Sequence, residues 1–586
     1  MNRFIRGVGA ISVLAMLGCQ SLDVTNPNEP DAKRALADPS AIEGLAAGAM
    51  QTWFNMYTNL QSAGVLSTQA RSYSSSWNNG WMNYHSGIDI AATDTVTLPT
   101  SWTRNARGWT NDPTASTRTS VEAFWSGGLD ENATDRPGFY SALSSANDAL
   151  TAIRTNGVVI TDAATTKRTE VIAQFMQGAS LMMIALNYDK GYFVDENTDL
   201  KTLEYINRKA MRDSAVVKLT GAATLAAANA FTTDPSWANG ISYTNVQIAQ
   251  IARTMAAMTL AWYPRDDGEN AAVAWAQVAS LASQGMSSGT PVDFNFMGDG
   301  YINWISELMY WFNGIDGGRV STRVAHLMDP LTQVDPYRLG VGSVQPNSPD
   351  KRMGDGSFGT AAMVAGFTNV PKTANGGTDF AYLKQGQVFR PDRGYYHQSN
   401  IGHIRYDGSG QQSADDVYGG YGLMPTISAH QSDLIWAEAL IRQGGGANLT
   451  AAANLIDKTR VTRGGLSSAA GFVGTVGSDA DGPCMANGKL AKNGGACTLW
   501  SVLLYEYEVE LLGLGPAPFY HQRHMPVVQA TNWERIGTGI YNGARYVQGL
   551  IPGTPREMPV PAKELGVKGE ALYTFGGTAP AKGAVP

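Results

Sequence analysis

Apolar residues recur at helical spacing through much of the chain, most clearly from Ile427 to Leu466. Ile427, Leu434, Ala437 and Ile441 fall on one stripe of a helix with about 3.6 residues per turn. Gly444, Gly445 and Gly446 interrupt it, since consecutive glycines carry the largest entropic cost of helical order. A second stripe follows at Leu449, Ala452, Ala453 and Ile456, and Gly464-Gly465 ends it. Two short amphipathic helices joined by a tight turn cannot bury their faces alone, so they must stack on similar units.

The same period predicts further helical units at about 40–60, 139–190, 246–284 and 503–525. In the first, Ser40 is read as the cap, with Ile42, Leu45, Ala49 and Trp53 on one face. Phe139–Arg154 and Glu170–Tyr188 form the second unit, and Val246–Trp262 with Ala271–Gln284 the third. Between the helical units, about 285–421 is rich in Gly, Pro and aromatic residues and shows few helical periods. At that length it is read as an irregular lobe with short strands packed on the helices, not a passive loop.

Within this pattern stand Ala437-Glu438-Ala439, Arg442 and the glycine turn, then Ile456-Asp457, Arg460 and Arg463-Gly464-Gly465-Leu466. This signature resembles that of the SusD/RagB family, outer-membrane lipoproteins of Gram-negative bacteria that capture nutrients. Leu503 to Leu512, with Glu506, Glu508 and Glu510, is similar to the family's carboxylate-studded helix. Two departures fall here. Tyr507 stands where an arginine is common, and Gly515 to His521 replaces a more charged run before Arg523, which puts local salt bridges in doubt. Arg556 to Pro561 with Glu564-Leu565 resembles the closing element. The resemblance implies a mostly α fold, a tetratricopeptide-like superhelix of about four helical hairpins with the loop-rich lobe. It also implies one SusD-like domain over 40–586.

The N-terminus sharpens this reading. Arg3 and Arg6 precede the apolar run Val8–Leu17, which is too short to span a bilayer. Met16-Leu17-Gly18-Cys19 then resembles a bacterial lipobox, so 1–18 is read as a signal peptide and Cys19 as the lipidated residue. Residues 19–39 form an Asn-, Pro- and Asp-rich tether. No later stretch holds about 20 consecutive apolar residues, so the chain is expected to be tethered rather than embedded. Outside the cytoplasm disulfides persist, and Cys484 and Cys497 are expected to be bonded.

Composition narrows the partners. A net charge of −7 without a basic cluster argues against nucleic acid, which needs concentrated Lys and Arg. No cofactor is called for. Asp266–Asn270 and Asp479–Gly482 look faintly like calcium loops but lack the alternating ligands and distant Glu of an EF-hand. His521 and His524 lie one helical turn apart without the Glu of HExxH, and are read as a packed polar helix end. Glu506 and Glu510 share a helix face while Glu508 points away, a pattern more typical of salt-bridged scaffold than of a catalytic pair across a cleft.

Aromatic loops are the stronger chemistry. Arg71 to Ile90 sets Trp77, Trp81, Tyr84 and His85 among Ser, Asn and Gly, with no regular period. Tyr301 to Arg319 supplies Trp304, Tyr310, Trp311, Asn313, Asp316 and Arg319. Such rings either plug a loop onto the core or stack on a flat, polar-edged ligand such as a sugar or an extended peptide. The ligand-facing set expected from these stretches is Arg71, Trp77, Asn79, Trp81, Tyr84, Trp304, Trp311 and Asp316. The resemblance implies capture of an oligosaccharide or peptide and delivery to a TonB-dependent, SusC-like outer-membrane barrel, with no bond broken. A glycan-cleaving enzyme on a helical scaffold and a protein adaptor are the alternatives.

Overall fold

The computed structural model describes residues 38–75, 109–110, 118–126, 137–289, 292–300, 302–312, 318–333, 344–355, 377–382, 398–406, 420–530, 545–550 and 554–575. Its frame is a run of helices: α1 (Pro39–Tyr57), α2 (Phe139–Leu150), α3 (Ala163–Asn187), α4 (Arg208–Ala228) and α5 (Asn245–Trp262). It continues with α6 (Trp275–Ser283), α7 (Ala429–Gln443), α8 (Gly446–Arg460), α9 (Leu499–Glu510) and α10 (Ala517–His524). Each of α1 to α8 packs on its successor, and α9 closes onto both α7 and α8. The result is a tetratricopeptide-like succession of four helical hairpins, α1/α2 through α7/α8. The cluster of buried apolar side chains runs continuously from Ile42 to Leu565.

The α7/α8 hairpin forms where the glycines fall. Gly444 and Gly445 take φ of 68° and 85°, the left-handed side that a Cβ disfavours, while Gly446 already belongs to α8. At the start of α7, Ser428 accepts from the Gln431 amide, and the Gln431 side chain accepts from the Ser428 amide in return, a capping box.

Two sequence expectations are corrected. The cap of α1 is Asp38, whose carboxylate accepts from the Ser40 amide at 3.0 Å. Pro39 occupies the first helical turn, where its missing N–H costs nothing. The second correction is α4, a 21-residue helix absent from the sequence reading. Its buried face is Met211, Ala215, Leu219, Ala222 and Ala226, periodic but largely alanine, so its apolar contrast is weak. Small residues let it approach closely. A Cβ on Gly178 of α3 would lie 2.8 Å from the Leu219 nitrogen. Helix α3 is itself long and apolar enough to cross a membrane by length and composition, but 94% of the relevant window is buried. Its all-round apolarity is that of a core helix.

The lobe between α6 and α7 carries short strands, as expected. Phe294–Asp299 pairs antiparallel with Tyr421–Ile427, bringing the chain back to α7. Phe380–Tyr382 pairs with Ile401–His403, and Gly318–Val320 pairs with Tyr73–Ser75. Cys484 and Cys497 are disulfide-bonded, with Cα atoms 5.6 Å apart.

Candidate functional site

The carboxylates of α9 lie in a dense and largely buried cluster of charge. Arg352, fully buried, donates from Nη1 to Glu506 Oε2 and Glu510 Oε1, each at 2.7 Å, and from Nη2 to Asp350 at 2.7 Å. Arg405 adds a 2.6 Å bond to Glu510, Arg463 adds one of 2.9 Å, and Arg460 lies 3.7 Å from Glu506. Arg463 also pairs with Asp379. Glu508 points the other way, to Arg323 at 2.7 Å and to Gln522. The helical spacing therefore read the two faces of α9 correctly. Burial alone would push the Glu510 carboxyl up, but Arg405, Arg463 and Arg352 overcome it and hold the group well below the usual carboxylate range. This is scaffold.

A second buried carboxylate, Glu438, engages Tyr507. The Tyr507 hydroxyl donates to Glu438 Oε2 at 3.0 Å, and Arg442 Nε donates to Oε1 at 2.9 Å. His524 Nε2 lies 3.0 Å from the same oxygen. Arg442 is held between the rings of Trp275 and Trp500, at 4.6 and 4.7 Å. His521 stacks on Tyr507 with centroids 4.1 Å apart. The histidines of α10 thus pack a helix end, as the spacing suggested. The acidic turn at Asp266 is the N-cap of a short helix, with the Asp266 carboxylate accepting from the Glu269 amide.

The two aromatic stretches meet. Tyr73 pairs with Val320, Ser74 with Arg319 and Ser75 with Gly318 in an antiparallel ladder. The chain leaving Ser75 and the chain entering Gly318 therefore begin side by side, although they are remote in sequence. Of the expected ligand-facing residues, Trp77, Asn79, Trp81, Tyr84 and Asp316 lie outside the described residues, as do Cys19 and the tether before Asp38. Trp311 is in the helix Glu307–Phe312. Arg71 and Trp304 face inward. Arg71, 5% exposed and at φ 51°, donates to the carbonyls of Gly549 and Gln548 at 2.8 Å each. Trp304, 8% exposed, stacks on Phe296 with centroids 5.6 Å apart. These two side chains are committed to the scaffold.

A cavity of about 520 Å³ opens elsewhere, beside α2. Its aromatic wall is Trp125, Tyr140 and Tyr192, and α2 contributes Ser141, Ser144, Asn147 and Asp148. The Tyr140 hydroxyl accepts from the Tyr192 amide at 2.7 Å and donates to the Tyr192 carbonyl at 3.0 Å, which locks the wall to the strand Lys190–Tyr192. Asp195 and Glu196 complete one side and Glu564 another. The sequence reading missed this site. Its one local signal is Ser141, Ser144 and Asp148 at steps of three and four on α2.

No family model matches the sequence, and no curated protein matches it. Solved structures do match, and they define the class: the chain has the fold of the SusD homologues. A SusD homologue from Parabacteroides distasonis superposes with a TM-score of 0.54 at 11% identity, over 90% of this chain and 93% of that one. One from Bacteroides thetaiotaomicron gives 0.52 at 12% identity, over 94% of this chain and 98% of that one.

Proposed function

We propose that this protein is a cell-surface binding lipoprotein that captures oligosaccharides and hands them to a TonB-dependent, SusC-like outer-membrane transporter. One observation carries the choice of site: the Tyr73–Ser75 and Gly318–Val320 ladder launches both aromatic loops from the same place. Trp77, Asn79, Trp81, Tyr84, Trp311 and Asp316 would then surround one ligand. Rings stack on sugar faces and polar side chains fix orientation, each ring contributing on the order of 1 kcal/mol. The SusD-homologue fold and the lipobox at Cys19 support surface capture. The carboxylates that could suggest hydrolysis, Glu506, Glu508 and Glu510, are committed to buried guanidinium partners.

The test is gentle purification from outer membranes, followed by identification of co-purifying protein and bound small molecules. A large barrel and intact oligosaccharide are the expected result. Shortened sugars would overturn the reading in favour of an enzyme, and a partner without sugar would favour an adaptor. Replacing Trp77 and Trp81 with Ala together should weaken glycan binding about tenfold or more, measured by titration calorimetry on the purified chain. Unchanged affinity would move the site away from these loops.

A further inference from the structure

The cavity beside α2 shares no lining residue with the Tyr73–Ser75 and Gly318–Val320 ladder, and its chemistry is of a different kind. Among the described residues its lining contains four carboxylates and no Lys or Arg. Two of the four are compensated from behind: Lys218 Nζ lies 3.0 Å from Asp195, and Arg154 Nη1 lies 2.7 Å from Glu196. Glu196 is fixed further by Gln177, which also bonds Asn147 at 2.7 Å. Burial would raise the Glu196 carboxyl, yet Gln177, Arg154 and Lys218 bring it down to about 2. Asp148 and Glu564 have no such partner. Among the described residues neither makes an ion pair or a side-chain hydrogen bond. Burial pushes the Asp148 carboxyl up with nothing set against it. Lys568 Nζ lies 5.9 Å from the centre of the Tyr192 ring, but its ammonium is engaged by the Leu203 carbonyl and Glu204.

Two carboxylates lining one cavity beside an aromatic wall, neither with a counter-charge among the described residues, select against anions and reward a ligand that brings its own positive charge. The hydroxyls of Ser141 and Ser144 can donate or accept, which suits a polyol rather than an aliphatic cation. At about 520 Å³ the cavity falls in the range of small-molecule sites. We propose that it is a second binding site, specific for a primary ammonium carried on a sugar ring. The amine faces Asp148 and Glu564, and the ring lies against Tyr140 and Tyr192. Among the described residues its lining includes none of those assigned to the aromatic loops.

Titration calorimetry of the full chain with glucosamine, N-acetylglucosamine and glucose near neutral pH tests this. Glucosamine is expected to bind at one per chain, at least about tenfold tighter than the two neutral sugars, and more weakly as salt is raised. Asp148→Asn and Glu564→Gln should each lower glucosamine affinity about tenfold, with circular dichroism confirming an unchanged fold. Absence of saturable glucosamine binding would overturn the proposal. So would binding of glucosamine and glucose with equal affinity, or glucosamine binding that ignores both substitutions.

Discussion

The carboxylates on α9 and those around the α2 cavity are the same chemical groups in opposite circumstances. Glu506 and Glu510 are sealed from solvent and share Arg352, with Arg405, Arg460 and Arg463 completing the set. Asp148 stands on the exposed side of α2 with no counter-charge among the described residues. A dense acidic helix invites a catalytic reading, yet it is the compensated one. Acidity alone therefore does not mark a site. What distinguishes a site here is charge left over once the protein's own partners have been assigned, beside a surface that a ligand could cover.

The sharpest way to break this comparison is to remove the shared partner. Arg352→Met leaves Asp350, Glu506 and Glu510 buried without their common guanidinium. A broken buried ion pair costs about 3–5 kcal/mol, most of it from the stranded charge. Urea unfolding of the purified variant should show a loss of that order, or no soluble protein. If Arg352→Met together with Glu506→Gln and Glu510→Gln recovers much of the loss, stranded charge rather than lost packing is the cause. A loss below about 1 kcal/mol for the single variant would show that the cluster is not the compensated core described above.

The pH axis separates the two kinds of carboxylate by sign. Burial would raise Glu438, but His524 and Arg442 bring its carboxyl down to about 2. Its folded value lies below the unfolded one of about 4.3, so its contribution is full above that value and is lost as pH falls toward 2. Asp189 behaves in reverse. Burial raises it to about 6 despite the Tyr573 hydroxyl, which donates to its Oδ1 at 3.0 Å. Its folded value lies above the unfolded one, so stability is lost as pH rises from about 3.9 to about 6. Melting temperatures of Glu438→Gln and Asp189→Asn, compared with wild type at about pH 7.5 and at about pH 4, should show this. The penalty of Glu438→Gln should shrink in acid. Any gain from Asp189→Asn should be largest at the higher pH. The same sign for both would remove the distinction.

Much of the scaffold was legible because it is local. The α7/α8 hairpin is written in a stripe, three glycines and a second stripe, and two of those glycines, Gly444 and Gly445, take the turn. The faces of α9 follow from helical spacing. Helix α4 was not legible, because a stripe of alanines contrasts too little with its neighbours. Nor were the partners of α9. Arg352 and Arg405 come from the irregular lobe, and no periodicity encodes a contact between residues so far apart in sequence. At Tyr507 a hydroxyl takes one oxygen of Glu438 while Arg442 and His524 lie at the other, a convergence that the sequence pattern does not reveal. The candidate loops were legible as aromatic, but the strand pairing that joins them was not. The α2 cavity escaped notice because Ser141, Ser144 and Asp148 look like any solvated helix face until Tyr192 and Glu564 are brought opposite.

The smallest expected effect is also the most discriminating. Asp148→Asn removes a half-exposed, unpaired charge, so no partner is stranded and no cavity is created in the core. Surface substitutions of this kind usually change stability by no more than about 0.5 kcal/mol in either direction. The carboxylate is raised by burial, so neutralising it relieves a small unfavourable charge, and any shift should be toward greater stability. Chemical denaturation of Asp148→Asn against wild type checks this. A loss of about 2 kcal/mol or more would mean that Asp148 serves the fold through a partner, as Glu510 does. In that event the two carboxylate clusters would be one kind of structure, and the surplus charge assigned to the cavity would not exist.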